Sequence, residues 1–241
     1  MTLQLVVLPL GVLVGALTQR ITGVGFALVA APLLVLVGGP FQGILLANLL
    51  GSIVAAVVLL SSWRDVDWRK AVLLGIPALI AVPIGAWVAR TLPPAPLLVL
   101  VGLLVVIALT AVLLSERARV LRGPGGAVAA GAASGFMNVT AGVGGPAIVL
   151  YAVSTAWEHR RFLATFQAYT VVVSVASMLA KGGLPLVSSA QLLLCLAGLA
   201  AGLAGGQLLS GRVDHESARR LAIGLALVSA VATVLKGVLT W

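Results

Sequence analysis

Two short polar clusters interrupt otherwise apolar sequence, and they resemble each other. Thr18, Gln19, Arg20 and Thr22 precede Gly23-Val24-Gly25 within GVLVGALTQRITGVGFA at 11–27. Asn138 and Thr140 precede Gly142-Val143-Gly144-Gly145-Pro146 within GAASGFMNVTAGVGGPA at 131–147. Each glycine-rich turn is followed by a fresh apolar helical segment. The first N–H groups of such a helix have no intrahelical partner, and the helix dipole adds positive potential there. Two such ends converging inside a membrane would form an anion site, with backbone donors from Gly23, Gly25, Gly142, Gly144 and Gly145. Glycine lets a ligand approach the main chain, and Pro146 suits an early helical position because its missing N–H is not needed there. The competing reading is that these glycines serve only close helix packing.

Arg20 is the one charge in either turn. A buried intramembrane arginine is costly, which marks Arg20 as the partner of an anionic substrate; alternatively it ends a span and reaches the interface. Asn48 and Gln167 are single polar residues inside apolar spans. They are expected to donate to substrate oxygens, or else to bond neighbouring helices. Thr22, Asn138 and Thr140 complete the expected substrate-binding set. Absences narrow the chemistry further. The carboxylates Asp65, Asp67, Glu116, Glu158, Asp214 and Glu216 all fall in loops, leaving no buried acid for a proton relay or a cation cage. His159 and His215 lie in loops without metal-ligand spacing, and no serine–histidine pairing lies in an apolar run. No catalytic residue, metal or cofactor is expected, so an embedded enzyme has almost nothing to work with. Asp214–His215–Glu216 is a candidate gate or pH sensor, though such loop charges are more simply topology signals.

The elements that must hold these residues follow from composition. Of 241 residues, 61% are hydrophobic and 9% charged. A soluble domain carries about 25% charged residues, so nearly the whole chain belongs in lipid. The net charge of +9 does not indicate nucleic acid, because the basic residues cluster in short loops. Cys195, the single cysteine, excludes an internal disulfide. The first residues run into a span without the basic stretch of a cleaved leader. Ten apolar segments are predicted, at 3–19, 22–39, 41–62, 71–90, 95–114, 124–138, 142–157, 162–181, 188–210 and 217–238. Segments 1–2 and 6–7 are short or interrupted, and read either as pairs of full spans or as broken, re-entrant hairpins. Pro9, Pro32 and Pro77 read as packing kinks. The loops after segments 3, 5, 7 and 9 hold Arg64, Arg69, Lys70, Arg117, Arg119, Arg122, Arg160, Arg161, Arg212, Arg219 and Arg220, while the opposite loops hold little beyond Arg90 and Lys181. The basic loops are therefore expected in the cytoplasm and both termini outside. No loop is long enough for a soluble domain.

The doubling extends beyond the turns. At an offset near 120, Gly15 matches Gly135, Asn48 falls on Gln167, and Gly85 falls near Gly205 and Gly206. Five segments per half is an odd number, so the second half starts on the opposite side of the membrane. The expected fold is an all-α polytopic membrane protein of two inverted-topology repeats, 1–120 and 121–241.

At these residues the chain resembles the TauE/SafE family of membrane proteins, the sulfite exporters, over nearly its full length. The resemblance rests on the GVG turn after Gly15, Val66-Asp67-Trp68 after a basic loop, and the small-residue helix at Gly85. It continues through Ala141-Gly142-Val143-Gly144-Gly145-Pro146, Ala164-Thr165 and the LSGRV at 209–213. It implies a plasma-membrane permease for a small anion, often a sulfur-containing one such as sulfite or an organosulfonate like sulfoacetate. The first turn has fewer glycines than the GxGGG of other members, and Phe26 is expected to narrow the site. The repeats would alternate access to the site. Without nucleotide-binding motifs, any energy would come from a gradient of protons or another co-transported ion. The expected partners are this anion and the bilayer, with no nucleic acid; the many small residues permit a monomer or a homodimer. The alternative is a membrane scaffold or assembly factor, which the short loops disfavour.

Overall fold

A computed structural model describes residues 2–23, 25–114, 121–209 and 215–240. Arg117, Arg119, Glu116, Arg212 and Asp214, all counted above among the loop charges, lie outside the described residues. The described chain is helical, with no strand. Its elements are α1 (Thr2–Thr22), α2 (Phe26–Gly38), α3 (Pro40–Ser62), a 3-10 turn at Trp63–Asp65, α4 (Trp68–Thr91), α5 (Pro94–Leu114), α6 (Gly123–Ala141), α7 (Gly145–Ser154), α8 (His159–Ala180), α9 (Ser189–Leu209) and α10 (His215–Leu239).

Local chemistry sets several boundaries. Asp67 caps α4, its carboxylate accepting from the Lys70 N–H at 3.1 Å. Pro40 opens α3 directly after Gly39, whose φ of +83° turns the chain back from α2. Pro146 stands in the first turn of α7, where no donor is lost. By the length and composition of the described residues, five helices can cross a membrane: α1, α3, α4, α8 and α9. Outward faces support lipid as the solvent. On α4, Ile76, Ile80, Ile84 and Trp87 are each more than half exposed at spacings of three and four, an apolar stripe that water would not tolerate.

The first and second helices form an antiparallel hairpin. A Cβ on Gly15 would meet Ala30 Cβ at 2.9 Å, and one on Gly11 would meet Leu33 at 3.3 Å. The limbs are unequal. The 21 residues of α1 span about 31 Å, but the 13 of α2 span about 20 Å, short of the ~30 Å hydrocarbon core. The 19-residue α6 and 10-residue α7 repeat the arrangement. Segments 2 and 7 are thus the short limbs of broken hairpins.

Helix contacts follow a regular scheme. The closest pairs are α1 with α9, α4 with α6, α5 with α10, and α3 with α8. Renaming α1–α5 as α6–α10, and the reverse, turns this set of pairs into itself. Small residues permit the first two contacts. Gly198, Gly202 and Gly206 on α9 lie against the Pro9, Leu13 and Leu17 carbonyls of α1, and Gly131 and Gly135 on α6 lie against the Leu74 and Ala78 carbonyls of α4. The loops at 63–70 and 155–161 meet at one end of the bundle. There Arg160 Nε donates to Asp65 Oδ2 at 2.9 Å, and the Lys70 ammonium sits 4.1 Å from the Trp157 ring. This is the basic end of the bundle.

Candidate functional site

The two hairpin tips converge. Between them lies a cavity of about 40 Å³, walled by Gln19, Gly25 and Phe26 from the first tip and by Asn138, Gly144, Gly145 and Pro146 from the second. Gln167, Tyr169 and Thr170 of α8 close it. At 10–15 Å³ per water, this is room for about three water-sized centres.

The two tips are built alike. Gly23 has φ +77° and Gly142 φ +72°, left-handed values that favour glycine and let each long limb end in a tight turn. The next glycine of each triplet is a packing residue. A Cβ on Gly25 would lie 2.6 Å from Thr18 Cγ2, and one on Gly144 would lie 2.7 Å from the Ser134 carbonyl oxygen. Close packing and ligand access are therefore not rival explanations of these glycines. The first and third positions of the triplet serve turn and packing, and both tips still line the cavity. Gly144→Leu should abolish flux, since its first added carbon already meets rigid α6 backbone. A flux assay in vesicles, normalised to inserted protein, checks this, and wild-type transport would refute the placement.

The helix starts differ electrostatically. Gln19 Oε1 accepts from the N–H groups of Gly25 at 2.7 Å and Phe26 at 3.0 Å, so a side chain already satisfies the start of α2. Gln19 Nε2 donates to the Gly23 carbonyl at 2.9 Å and approaches Gln167 Oε1 at 3.4 Å. Gln167 Nε2 also donates to the Gly23 carbonyl, at 3.2 Å. At the second tip the corresponding residue is Asn138, 119 positions after Gln19. One methylene shorter, it turns away from its own helix start. Asn138 Nδ2 donates to Asn48 Oδ1 at 2.8 Å and to Ser177 Oγ at 3.0 Å, while Asn48 Nδ2 reaches the Asn138 carbonyl at 3.4 Å. Among the described residues, nothing accepts from the N–H groups of Gly144 or Gly145. The first two N–H groups at the start of α2 thus have a side-chain acceptor in Gln19, whereas those of Gly144 and Gly145 at the start of α7 have none.

Two hydroxyls stand at the same place. Ser134 Oγ and Tyr169 OH are buried and have no hydrogen-bond partner. They face each other without reaching hydrogen-bond geometry. Tyr169 lines the cavity, and Ser134 lies behind Gly144.

The expected site residues divide accordingly. Gly25, Asn138, Gly144, Gly145 and Gln167 line the cavity, and Gly23 contributes its carbonyl to the Gln19–Gln167 network. Asn48 stands one bond behind, supporting Asn138. Thr22 and Thr140 turn back onto their own helices, donating to the Thr18 and Phe136 carbonyls. Gly142 packs on Ala31 at the turn. Arg20 is not in the cavity wall. Its guanidinium donates to Gln207 Oε1 at 3.1 Å, and it lines a separate groove with Ser61 and Leu203 on the side of α1 that faces α9. Gln19 as cap, Ser134 and Tyr169 were not singled out from the sequence as binding residues. The spacing held one usable signal. The offset of 119 that carries Asn48 to Gln167 and Gly23 to Gly142 also carries Gln19 to Asn138.

The chain matches the family described as Sulfite exporter TauE/SafE over residues 7–233. The match takes in both hairpin tips and α8. No curated protein and no solved structure matches.

Proposed function

Because this chain belongs to the sulfite exporter TauE/SafE family, a family of multi-pass membrane transporters rather than enzymes, we propose that it carries a small oxyanion of about the size of sulfite through the cavity between its hairpin tips. The carrying observation is the convergence of the two tips around the uncapped start of α7. A 10-residue helix ending in unpaired N–H groups offers about half a positive charge, with no side-chain cation nearby to hold the anion too tightly for release. Tyr169 OH is an unpartnered group on the cavity wall for a substrate oxygen to engage, with Ser134 Oγ behind it at Gly144, and the Asn138 and Gln167 amides also line the cavity. Room for about three water-sized centres suits a four-atom oxyanion and disfavours a long organosulfonate.

The self-mapping helix pairs support two inverted repeats, 1–120 and 121–241, that rock against each other to alternate access. Facing surfaces that exchange under the repeat relation can adopt two equivalent arrangements. With the basic loops cytoplasmic, the tip of α1 and α2 points inward and that of α6 and α7 outward. The unequal capping then gives the cycle a polarity. The outward-pointing tip lacks the side-chain cap that Gln19 supplies at the inward-pointing one.

Sulfite, sulfate, thiosulfate, sulfoacetate, taurine, acetate and chloride should be compared by thermal shift on purified protein. A ligand at about 100 times its Kd stabilises the folded state by about 2.7 kcal/mol, a readily read shift. The expected result is a shift with sulfite and none with taurine or sulfoacetate, retained in Arg20→Ala because Arg20 faces away from the cavity. A shift that vanishes in Arg20→Ala would move the site to the groove beside Gln207. No shift with any small oxyanion would defeat the proposal.

A further inference from the structure

At the end of the bundle remote from the basic end, two cations meet with no counter-charge beside them among the described residues. Lys181 follows the last residue of α8, is 4% exposed, and its Nζ has no hydrogen-bond partner. The ammonium stacks 4.4 Å from the Phe41 ring at the start of α3. Arg90, near the end of α4, brings its guanidinium to the same place. A Cβ on Gly182 would lie 3.5 Å from Arg90 Nη2. Gly182 and Gly183, with φ of +101° and +117°, wrap the chain over the lysine, and the Leu186 N–H donates to Gln42 Oε1 at 2.8 Å, tying that loop to α3. The described carboxylates in the loops, Asp65, Asp67 and Glu158, lie at the opposite end. A buried, unpaired ammonium is expensive, and a second cation beside it raises the cost. Burial, and then the charge of Arg90, lowers the Lys181 ammonium to about 7. An oxyanion between the two side chains would reverse both effects.

A polar track joins this place to the cavity. Gln167, Thr170, Ser174, Ser177 and Lys181 recur at three and four residues along α8, on one helical face. Gln167, Ser174, Ser177 and Lys181 are all buried, and Gln167 and Thr170 line the cavity. Ser177 accepts from Asn138, which stands in the cavity wall. From Gln167 to Lys181 is 14 residues, about 21 Å of helix. The positions 119 earlier on α3 that match Thr170, Ser174 and Ser177 are Gly51, Ala55 and Val58, so only one half carries the track.

We propose that Lys181 and Arg90 form a second oxyanion site, at which the transported anion is held between the cavity and the solution at this end of the bundle. This rests on the reading of the chain as an anion transporter. The site selects by charge: two cations bind a doubly charged oxyanion better than a neutral zwitterion such as taurine. It explains why the cavity itself needs no cationic side chain.

Lys181→Met keeps the apolar stem over Phe41 and removes the charge. Sulfite binding by titration calorimetry and sulfite flux in vesicles should be measured for the wild type and for this variant. The expected result is two binding events in the wild type and one in Lys181→Met, with a KM at least 10-fold higher and kcat within about 2-fold. Without anion, the variant should melt at or above the wild-type temperature, because an unpaired buried charge has been removed. Unchanged titration and KM would overturn the second site while leaving the cavity intact, and so would a variant that melts lower with unchanged KM, which marks Lys181 as a packing strap. Arg90→Gln, at an exposed position, should raise KM in the same direction; a KM unchanged in both variants rejects the site even if Lys181→Met folds poorly. No sulfite binding to the wild type would remove the functional reading and this site together.

Discussion

Gln19→Leu should open the first hairpin tip and cost the protein a large share of its stability. The wild-type amide does three things at once. It accepts from the Gly25 and Phe26 amides and donates to the Gly23 carbonyl. All of this happens inside the bundle, where Gln19 is 6% exposed. Leucine fills a similar volume and satisfies none of these groups. Each buried donor left without an acceptor costs about 1–3 kcal/mol, so the two amides alone cost about 2–6 kcal/mol against a typical total of about 5–15 kcal/mol. Gln19→Asn should fail nearly as badly, because its amide is one methylene short of the α2 amides. Thermal melts of detergent-solubilised protein decide the matter. A fall of about 10 °C is expected for Gln19→Leu, and little change for Thr110→Val, whose hydroxyl bonds its own helix on an exposed face. A Gln19→Leu protein melting with the wild type would show that the cap does not hold the tip.

The sequence does not distinguish Gln19 from Arg20 as the cavity residue, and the cause is physical. Neighbours on a helix point about 100° apart, so one of the two faces α8 and the other α9. Choosing between them from sequence requires a clear amphipathic pattern along α1, and a helix packed among other helices in lipid shows little: its polar residues gather at 18–22 on more than one side of the last turns, and the rest is almost wholly apolar. Charge drew attention to Arg20, but charge at the end of a long limb also suits a groove open to polar neighbours, which is where Arg20 lies beside Gln207. The same loss of pattern hid Ser134 and Tyr169, whose hydroxyls matter only because α7 packs beside them. Hydropathy runs and turn chemistry suffered no such loss. The ten helices follow the apolar segments within a few residues, because segment length in lipid is set directly by hydropathy and by Gly and Pro. The doubled glycines mark the two turns that meet at the cavity. Whether segments 1–2 and 6–7 were full spans or hairpins was open until the 13-residue α2 and 10-residue α7 proved too short to cross.

The cavity reading makes its largest functional prediction at Asn138. Asn138→Asp changes one nitrogen to an oxygen, leaves the volume alone, and puts a negative charge on the cavity wall. The surroundings can adapt. The Asn48 amide can turn its Nδ2 toward the new carboxylate, and the Ser177 hydroxyl can donate where it formerly accepted, so the fold should survive. Two unit charges about 5 Å apart interact by about 3 kcal/mol at an effective dielectric of about 20, which lowers anion affinity about 100-fold. The effect must also carry a pH signature. The variant's carboxyl titrates, with a pKa of its own, where the wild-type amide does not. Above that pKa the variant is anionic and rejects the substrate; as pH falls through it, the carboxyl becomes neutral, resembles asparagine, and affinity returns. With a probe anion whose own charge is constant over the range, such as sulfate, the wild type should show no comparable recovery. Binding of Asn138→Asp at pH 8 within 2-fold of the wild type, in protein that melts normally, would mean that the anion does not pass Asn138 and that the convergence of the two tips serves packing alone.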